Sequence, residues 1–271
     1  MKRFKYVAVA LLAFSSCTIK EPRAGCPCLL KLDLDEVIAS GRYSKAVATL
    51  GPCSDKRIGQ EMIEVAPYAG TGYEKTVPRQ LVRTSVVCGF NNSIFHSDTL
   101  WVNENVQADP IWAFALEKEC TEEVETVHVS LHKQFCRMNF VAAGESDLRD
   151  YPYVLRVKAG CCGIKLYDLQ PVEGTFSAVV REDAAGRLTL DVPRQKENAL
   201  LLEMLDRTAF EKGGTEVLYT LDLGQKLEQT GYEWAAEDLD DVTVKIDYAR
   251  ASFSVEVLPW DDDYGYSEVE I

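Results

Sequence analysis

Asp241–Trp260 reads DVTVKIDYARASFSVEVLPW, and its alternation decides the fold class. Val242, Val244 and Ile246 alternate with Thr243, Lys245 and Asp247, and Phe253, Val255 and Val257 alternate with Ser252, Ser254 and Glu256. A period of two lines up each apolar set on one face of a strand, so this stretch reads as two strands around a turn at Ala249-Arg250-Ala251. The same period recurs upstream. Leu30, Leu32 and Leu34 alternate with Lys31, Asp33 and Asp35, and LVRTSVVCGF, rich in β-branched residues, follows the breaker Pro78. In VETVHVSLHKQFCRMNFV, the residues Val127, Val129 and Leu131 point one way and His128, Ser130 and His132 the other.

Gly144-Glu145-Ser146-Asp147 interrupts the pattern and is read as a domain boundary. Beyond it come YVLRVKA, GTFSAVV, RLTLDV and ALLLEML, with a hairpin expected at Asp183-Ala184-Ala185-Gly186. ALLLEMLDRTAFEKGG is read as a strand that pairs with Thr215–Leu223 across Gly213 and Gly214, a helix closed by those glycines being the alternative. GQKLEQTGYEW is the one segment expected to be helical. Strands do not alternate with helices, which argues against a doubly wound sheet and for an all-β chain of two tandem antiparallel β-sandwiches.

The N-terminus, MKRFKYVAVALLAFSSC, reads as a lipoprotein export signal. Lys2, Arg3 and Lys5 form a basic region, Tyr6 to Phe14 a short apolar one, and Ser15-Ser16 lead into Cys17, the expected lipidation site and mature N-terminus. Phe14 stands where such sites usually carry Leu. The apolar run is too short to span a bilayer. Acyl chains at about 0.8 kcal/mol per buried methylene give stable anchoring. Loss of the signal moves the formal charge from −14 to −17. That acidity argues against nucleic acid and anionic membranes as partners, since both require basic stripes.

Eight cysteines follow Cys17, an even number that permits disulfides in an exported chain without fixing their pairing. Neither Cys26-Pro27-Cys28 nor Cys161-Cys162 has the spacing of a zinc or redox site, so buried thiols or staples between strands are expected. No metal or other cofactor is expected. His128 and His132 suit a metal only on a helix, and the acidic runs Asp238–Asp241 and Asp261–Asp263 lack the glycine of a calcium loop. His96 lies in a polar turn, and nothing selects a catalytic pair among the carboxylates. An enzyme is not expected.

Three stretches carry a resemblance: Cys17 followed by GCPCLLKLDLD, the segment VHVSLHKQFCRMNFV, and Thr220–Trp260. Together they resemble the fimbrillin-associated anchor lipoproteins of type V (Bacteroidia-type) fimbriae, the second stretch being similar to the closing strand of that family's N-terminal domain. The high cysteine count departs from the family. The resemblance implies two transthyretin-like sandwiches, here residues 26–144 and 145–260, after a signal at 1–16 and a tether at 17–25, and before an acidic tail at 261–271. In that family, shaft subunits lose an N-terminal strand after cleavage at an Arg, and a neighbour's C-terminal strand fills the groove. The anchor keeps its strand and ends the fibre at its base on the outer membrane.

Carried over, Leu30, Leu32 and Leu34 mark the retained strand. Val244, Ile246, Phe253, Val255, Val257 and Trp260 mark a candidate donor region extending toward Ile271. Its partner is a fimbrial shaft subunit. Arg23, Arg42, Arg79 and Arg83 stand as conceivable cleavage points. A competing reading is a surface glycan-binding lipoprotein with Trp101, Trp112, Trp234 and Tyr232 as stacking platforms, although Trp101 and Trp112 lie among apolar residues and read as core.

Overall fold

A computed structural model describes residues 27–55, 59–143, 147–247 and 252–258. Cys17, Cys26, Trp260, the signal, the tether, the acidic tail and the turn at Ala249–Ala251 lie outside the described residues. The first strands are β1 (Pro27–Asp33), β2 (Lys45–Pro52), β3 (Gly59–Glu64), β4 (Tyr73–Pro78), β5 (Leu81–Cys88), β6 (Ile94–His96), β7 (Thr99–Trp101), β8 (Trp112–Glu119), β9 (Val124–His128) and β10 (His132–Lys133). The rest are β11 (Phe135–Ala142), β12 (Tyr153–Lys165), β13 (Pro171–Val179), β14 (Arg181–Glu182), β15 (Leu188–Pro193), β16 (Leu201–Asp206), β17 (Val217–Asp222), β18 (Asp241–Asp247) and β19 (Ser252–Leu258). Among the described residues three short α-helices intervene: α1 (Asp35–Ala39), α2 (Arg207–Glu211) and α3 (Leu223–Thr230). The chain is all-β, as its alternation predicts.

Two sheets, ordered β4-β1-β9 and β10-β8-β5-β2-β3, enclose one apolar core built on Cys28, Leu30, Leu32, Val82, Val86 and Val127. Two more, β14-β15-β11-β18-β19 and β17-β16-β12-β7-β6, with β13 also on β12, enclose a second core around Met138, Phe140, Val157, Leu190, Leu202 and Val244. The two halves repeat one topology. β1 lies between β4 (antiparallel) and β9 (parallel), and β11 lies the same way between β15 and β18. On the facing sheets, β2 lies between β3 and β5 with β8 beyond, and β12 between β13 and β16 with β17 beyond. Each half is thus seven equivalent strands. β19 is an addition to the second half and extends its sheet beyond β18.

This pairing moves the boundary. β11, expected to close the first sandwich before a division at residues 144–145, hydrogen-bonds only within the second sheet and contributes Cys136, Met138 and Phe140 to the second core. By pairing and core membership the crossing lies around Lys133-Gln134. The β6–β7 hairpin also joins the second half: it belongs to the first half in sequence, yet β7 pairs with Gly163–Lys165 at the end of β12. Two parallel pairs, β1–β9 and β11–β18, also make the sheets mixed rather than purely antiparallel. Val87, Leu100, Ile111, Ala113, Ile164 and Leu166 form a small third core at the crossing.

Local chemistry sets the other elements. ALLLEMLDRTAFEKGG is a strand and then a helix: β16 gives way to α2, whose N-cap Asp206 accepts from the Ala209 N–H at 2.6 Å, and β17 pairs back onto β16. The helix predicted over GQKLEQTGYEW is α3, capped by Asp222 and ended by Gly231 at φ +76°, a left-handed conformation that glycine adopts without a Cβ penalty. His128 and His132 do not share a strand face. β9 ends at His128 and the chain changes sheets before β10, so His128 pairs with Asp33 (2.8 Å) and His132 with Asp238 (3.1 Å) and Glu237 (3.1 Å).

Candidate functional site

β1 fills a slot. It pairs with β4 in the register Pro27↔Pro78 to Leu32↔Tyr73, and with β9 from Leu29↔Val124 to Asp33↔His128. Cys28, Leu30, Leu32 and Leu34 are each fully buried, with Leu34 at the start of α1. Burying three leucines stabilises the fold by about 5–9 kcal/mol at 1.5–3 kcal/mol each, an upper value because the unfolded chain already hides some of this surface. Both edges of β1 are hydrogen-bonded, so removing it opens a groove with apolar pockets and two rows of unpaired backbone groups.

Polar contacts close the far end of the slot. The Asp33 carboxylate accepts from the Asp35 N–H at 3.1 Å and meets His128 Nδ1 at 2.8 Å. First the backbone bond from Asp35 and then the His128 bond hold its pKa below the usual carboxylate value. Asp35 in turn accepts from the Gly70 N–H at 2.8 Å, which ties α1 to the turn before β4.

The second feature is the β18–β19 edge. Val242, Val244 and Ile246 on β18 are buried between β11 and β19. Phe253, Val255 and Val257 on β19 are half-buried against the second core, while Ser252, Ser254, Glu256 and Leu258 face outward. Lys245 and Glu256 pair across the two strands at 2.7 Å. The predicted donor residues therefore divide in two: Val244 and Ile246 belong to a central strand, and Phe253, Val255 and Val257 to an edge strand. Nothing in the alternation distinguishes the two sets; the parallel partner β11 does.

The four aromatic side chains of the glycan reading are integral to the fold. Trp112 packs edge-on to Phe135 at 6.5 Å with the Arg42 guanidinium over its ring. Trp234 donates to Asn198 Oδ1 at 2.8 Å and packs on Tyr232 at 4.8 Å. Trp101 lies over Gly163, where a Cβ would come within 3.0 Å of its ring. Among the described residues no three His, Cys, Asp or Glu side chains gather as a metal site.

Sequence reasoning missed a polar cluster where the chain passes between the sandwiches. Lys133, fully buried, pairs with Asp241 and donates to the Leu239 carbonyl at 2.9 Å. Arg137 and Asp191 form a bidentate pair at 2.7 and 2.8 Å. Arg194 donates to the Trp234, Ala236 and Glu237 carbonyls and to Gln134 Oε1. Asp109 accepts from the Asn91, Asn92 and Ser93 N–H groups at 2.7–2.8 Å and so fixes the root of the β6–β7 hairpin. Alternation carried no signal for it, because Arg137 and Asp191 stand in the polar phase of their strands, between Cys136 and Met138 and between Leu190 and Val192, and only the pairing Arg137↔Asp191 brings them together.

In sequence, neither a family model nor a curated protein matches the chain. In structure it is similar to a candidate polysaccharide-binding protein of Bacteroides thetaiotaomicron (TM-score 0.54, 11% identity, 88% of this chain and 99% of that one). The fimbrial anchor protein Mfa2 of Porphyromonas gingivalis gives a TM-score of 0.53 at 9% identity, over 87% of this chain and 98% of that one. A candidate adhesin of Bacteroides ovatus gives 0.53 at 10%, over 86% and 94%. At these identities the likeness establishes a shared fold.

Proposed function

We propose that this chain is a non-enzymatic cell-surface subunit of a fimbria, held on the outer membrane by lipid on Cys17, which attaches and terminates the fibre at its base by β-strand exchange with the first shaft subunit. The observation that carries the reading is β1. It follows the lipidation signal and the tether, and it sits in its slot with both edges paired and its leucines buried. A strand so held transmits load from the tether into the first core. The fold shared with the fimbrial anchor Mfa2 supports the same role.

The burial of β18 narrows the donor proposal. Withdrawing Val242, Val244 and Ile246 would unmake the second core, whereas β19 packs on it from one side and has a free edge among the described residues. The joint is therefore assigned to β19 and the residues beyond it, Trp260 included. The glycan-binding alternative draws on the likeness to the Bacteroides thetaiotaomicron protein, but the roles of Trp112 and Trp234 in the core weigh against it. Immunogold microscopy of cells carrying Cys17→Ala tests the reading. Fimbriae shed into the medium are expected; fimbriae retained at normal number and length contradict it.

A further inference from the structure

Cys28 and Cys120 meet inside the first core. Cys28 is the second residue of β1 and Cys120 directly follows β8; they are 0% and 1% exposed and share one apolar cluster. The backbone around them forms a closed corner. Cys28 is registered against Val77 on β4, the Cys120 N–H donates to the Gln80 carbonyl at 3.1 Å just past that strand, and the Leu29 N–H donates to the Glu123 carbonyl at 2.8 Å. Both are free thiols in this structure: the Cys120 thiol donates to the Lys118 carbonyl at 3.9 Å, and the Cys28 thiol lies close enough to help raise the Cys120 pKa.

The second sandwich supplies a comparison. Cys136 is likewise the buried second residue of its first strand, β11, but the connection between β17 and β18 offers it the Tyr232 hydroxyl. The paired thiol therefore occurs in the half that carries the tether.

We infer that Cys28 and Cys120 are joined by a disulfide in the exported protein, a staple that fixes β1 to the β8–β9 connection where the tether enters the fold. The inference rests on the export reading above, because a cytoplasmic chain would stay reduced. The oxidant is a protein or small-molecule disulfide outside the cytoplasm. One thiolate attacks it to give a mixed disulfide, the second displaces that sulfur, and two electrons and two protons leave on the two released thiols. Burial pushes the Cys120 thiol up to about 12, so closure belongs to folding, before the corner shuts, and the finished bond is shielded from reductant. Pulling on the tether then loads a covalent link, and β1 cannot slide out of its slot by breaking hydrogen bonds alone.

The test is peptide mapping of the full-length protein isolated from membranes, alkylated under denaturing, non-reducing conditions and digested with trypsin. A linked pair of residues 24–31 and 119–133 is expected, absent after reduction, with fragmentation placing the link on Cys28 rather than Cys26. The inference is overturned if both thiols are alkylated in the unreduced protein or if Cys120 is linked elsewhere. Acylation of Cys17, read from the same digest, reports on the anchoring proposal separately. In support, reductant in denaturing buffer before refolding should lower the melting temperature by roughly 5–15 °C, and Cys120→Ser should abolish that sensitivity.

Discussion

Glu203 on β16 is nearly buried, with its carboxylate between Arg156 Nε at 2.7 Å and Lys158 Nζ at 2.8 Å. Burial by itself raises its pKa, but the Lys158 and Arg156 bonds outweigh that and hold it below the model-peptide value of 4.5. A depressed folded pKa contributes stability above the unfolded value and loses it as pH falls through the folded one. Glu203→Gln should therefore flatten the decline in stability below pH 4.5, measured by urea unfolding across that range. Asp241 is a sharper case. It accepts from the buried Lys133 ammonium and from the Arg137 N–H at 2.9 Å, so Asp241→Ala leaves a buried cation without its carboxylate. A loss of about 3–5 kcal/mol is expected in the same assay, and a loss below 1 kcal/mol would show that water reaches Lys133.

At the scale of elements, α3 packs so closely on the β16 connection that Gly224 has no room for a side chain: a Cβ would lie 1.7 Å from the Asn198 carbonyl oxygen, and its N–H donates to Leu200 at 2.9 Å. Gly224→Ala is expected to cost about 3 kcal/mol, with near-ultraviolet dichroism reporting loosened packing around Trp234. Much of the strand set was legible in the sequence, because Leu30/Leu32, Val242/Val244/Ile246 and Phe253/Val255/Val257 alternate with a period that only a strand satisfies. Which of these strands is central was not. β18 and β19 alternate alike, and β18 is central through a parallel pairing, Met138↔Val242, that joins residues about a hundred apart. That same non-local bond drew β11 out of the first sandwich. Val255→Asp on the β19 edge should thus be tolerated better than Val244→Asp on β18. Comparison of melting temperatures decides this, and equal losses would contradict the edge assignment.

For the whole molecule, seven strands repeated twice give two cores: the second half begins with β11 after Gln134, and the β6–β7 hairpin of the first half reaches across onto the second half's sheet. Two fragments distinguish this arrangement from a division at residue 144. A chain beginning at residue 134 keeps β11 between β15 and β18 and is expected to be folded, provided β6–β7 is supplied as part of a co-expressed first half. One beginning at 147 lacks Met138 and Phe140 from its core and should bind a hydrophobic dye and melt without cooperativity. The proposed role demands one thing of this architecture, that β1 stays joined to a lipidated N-terminus while the second sandwich holds the fibre. N-terminal mass spectrometry of the protein isolated together with attached fimbriae tests this most directly. An acylated Cys17 in one continuous chain through Leu30, Leu32 and Leu34 is the expected result; a chain that starts after Arg23 or Arg42, or an unmodified Cys17, would contradict it.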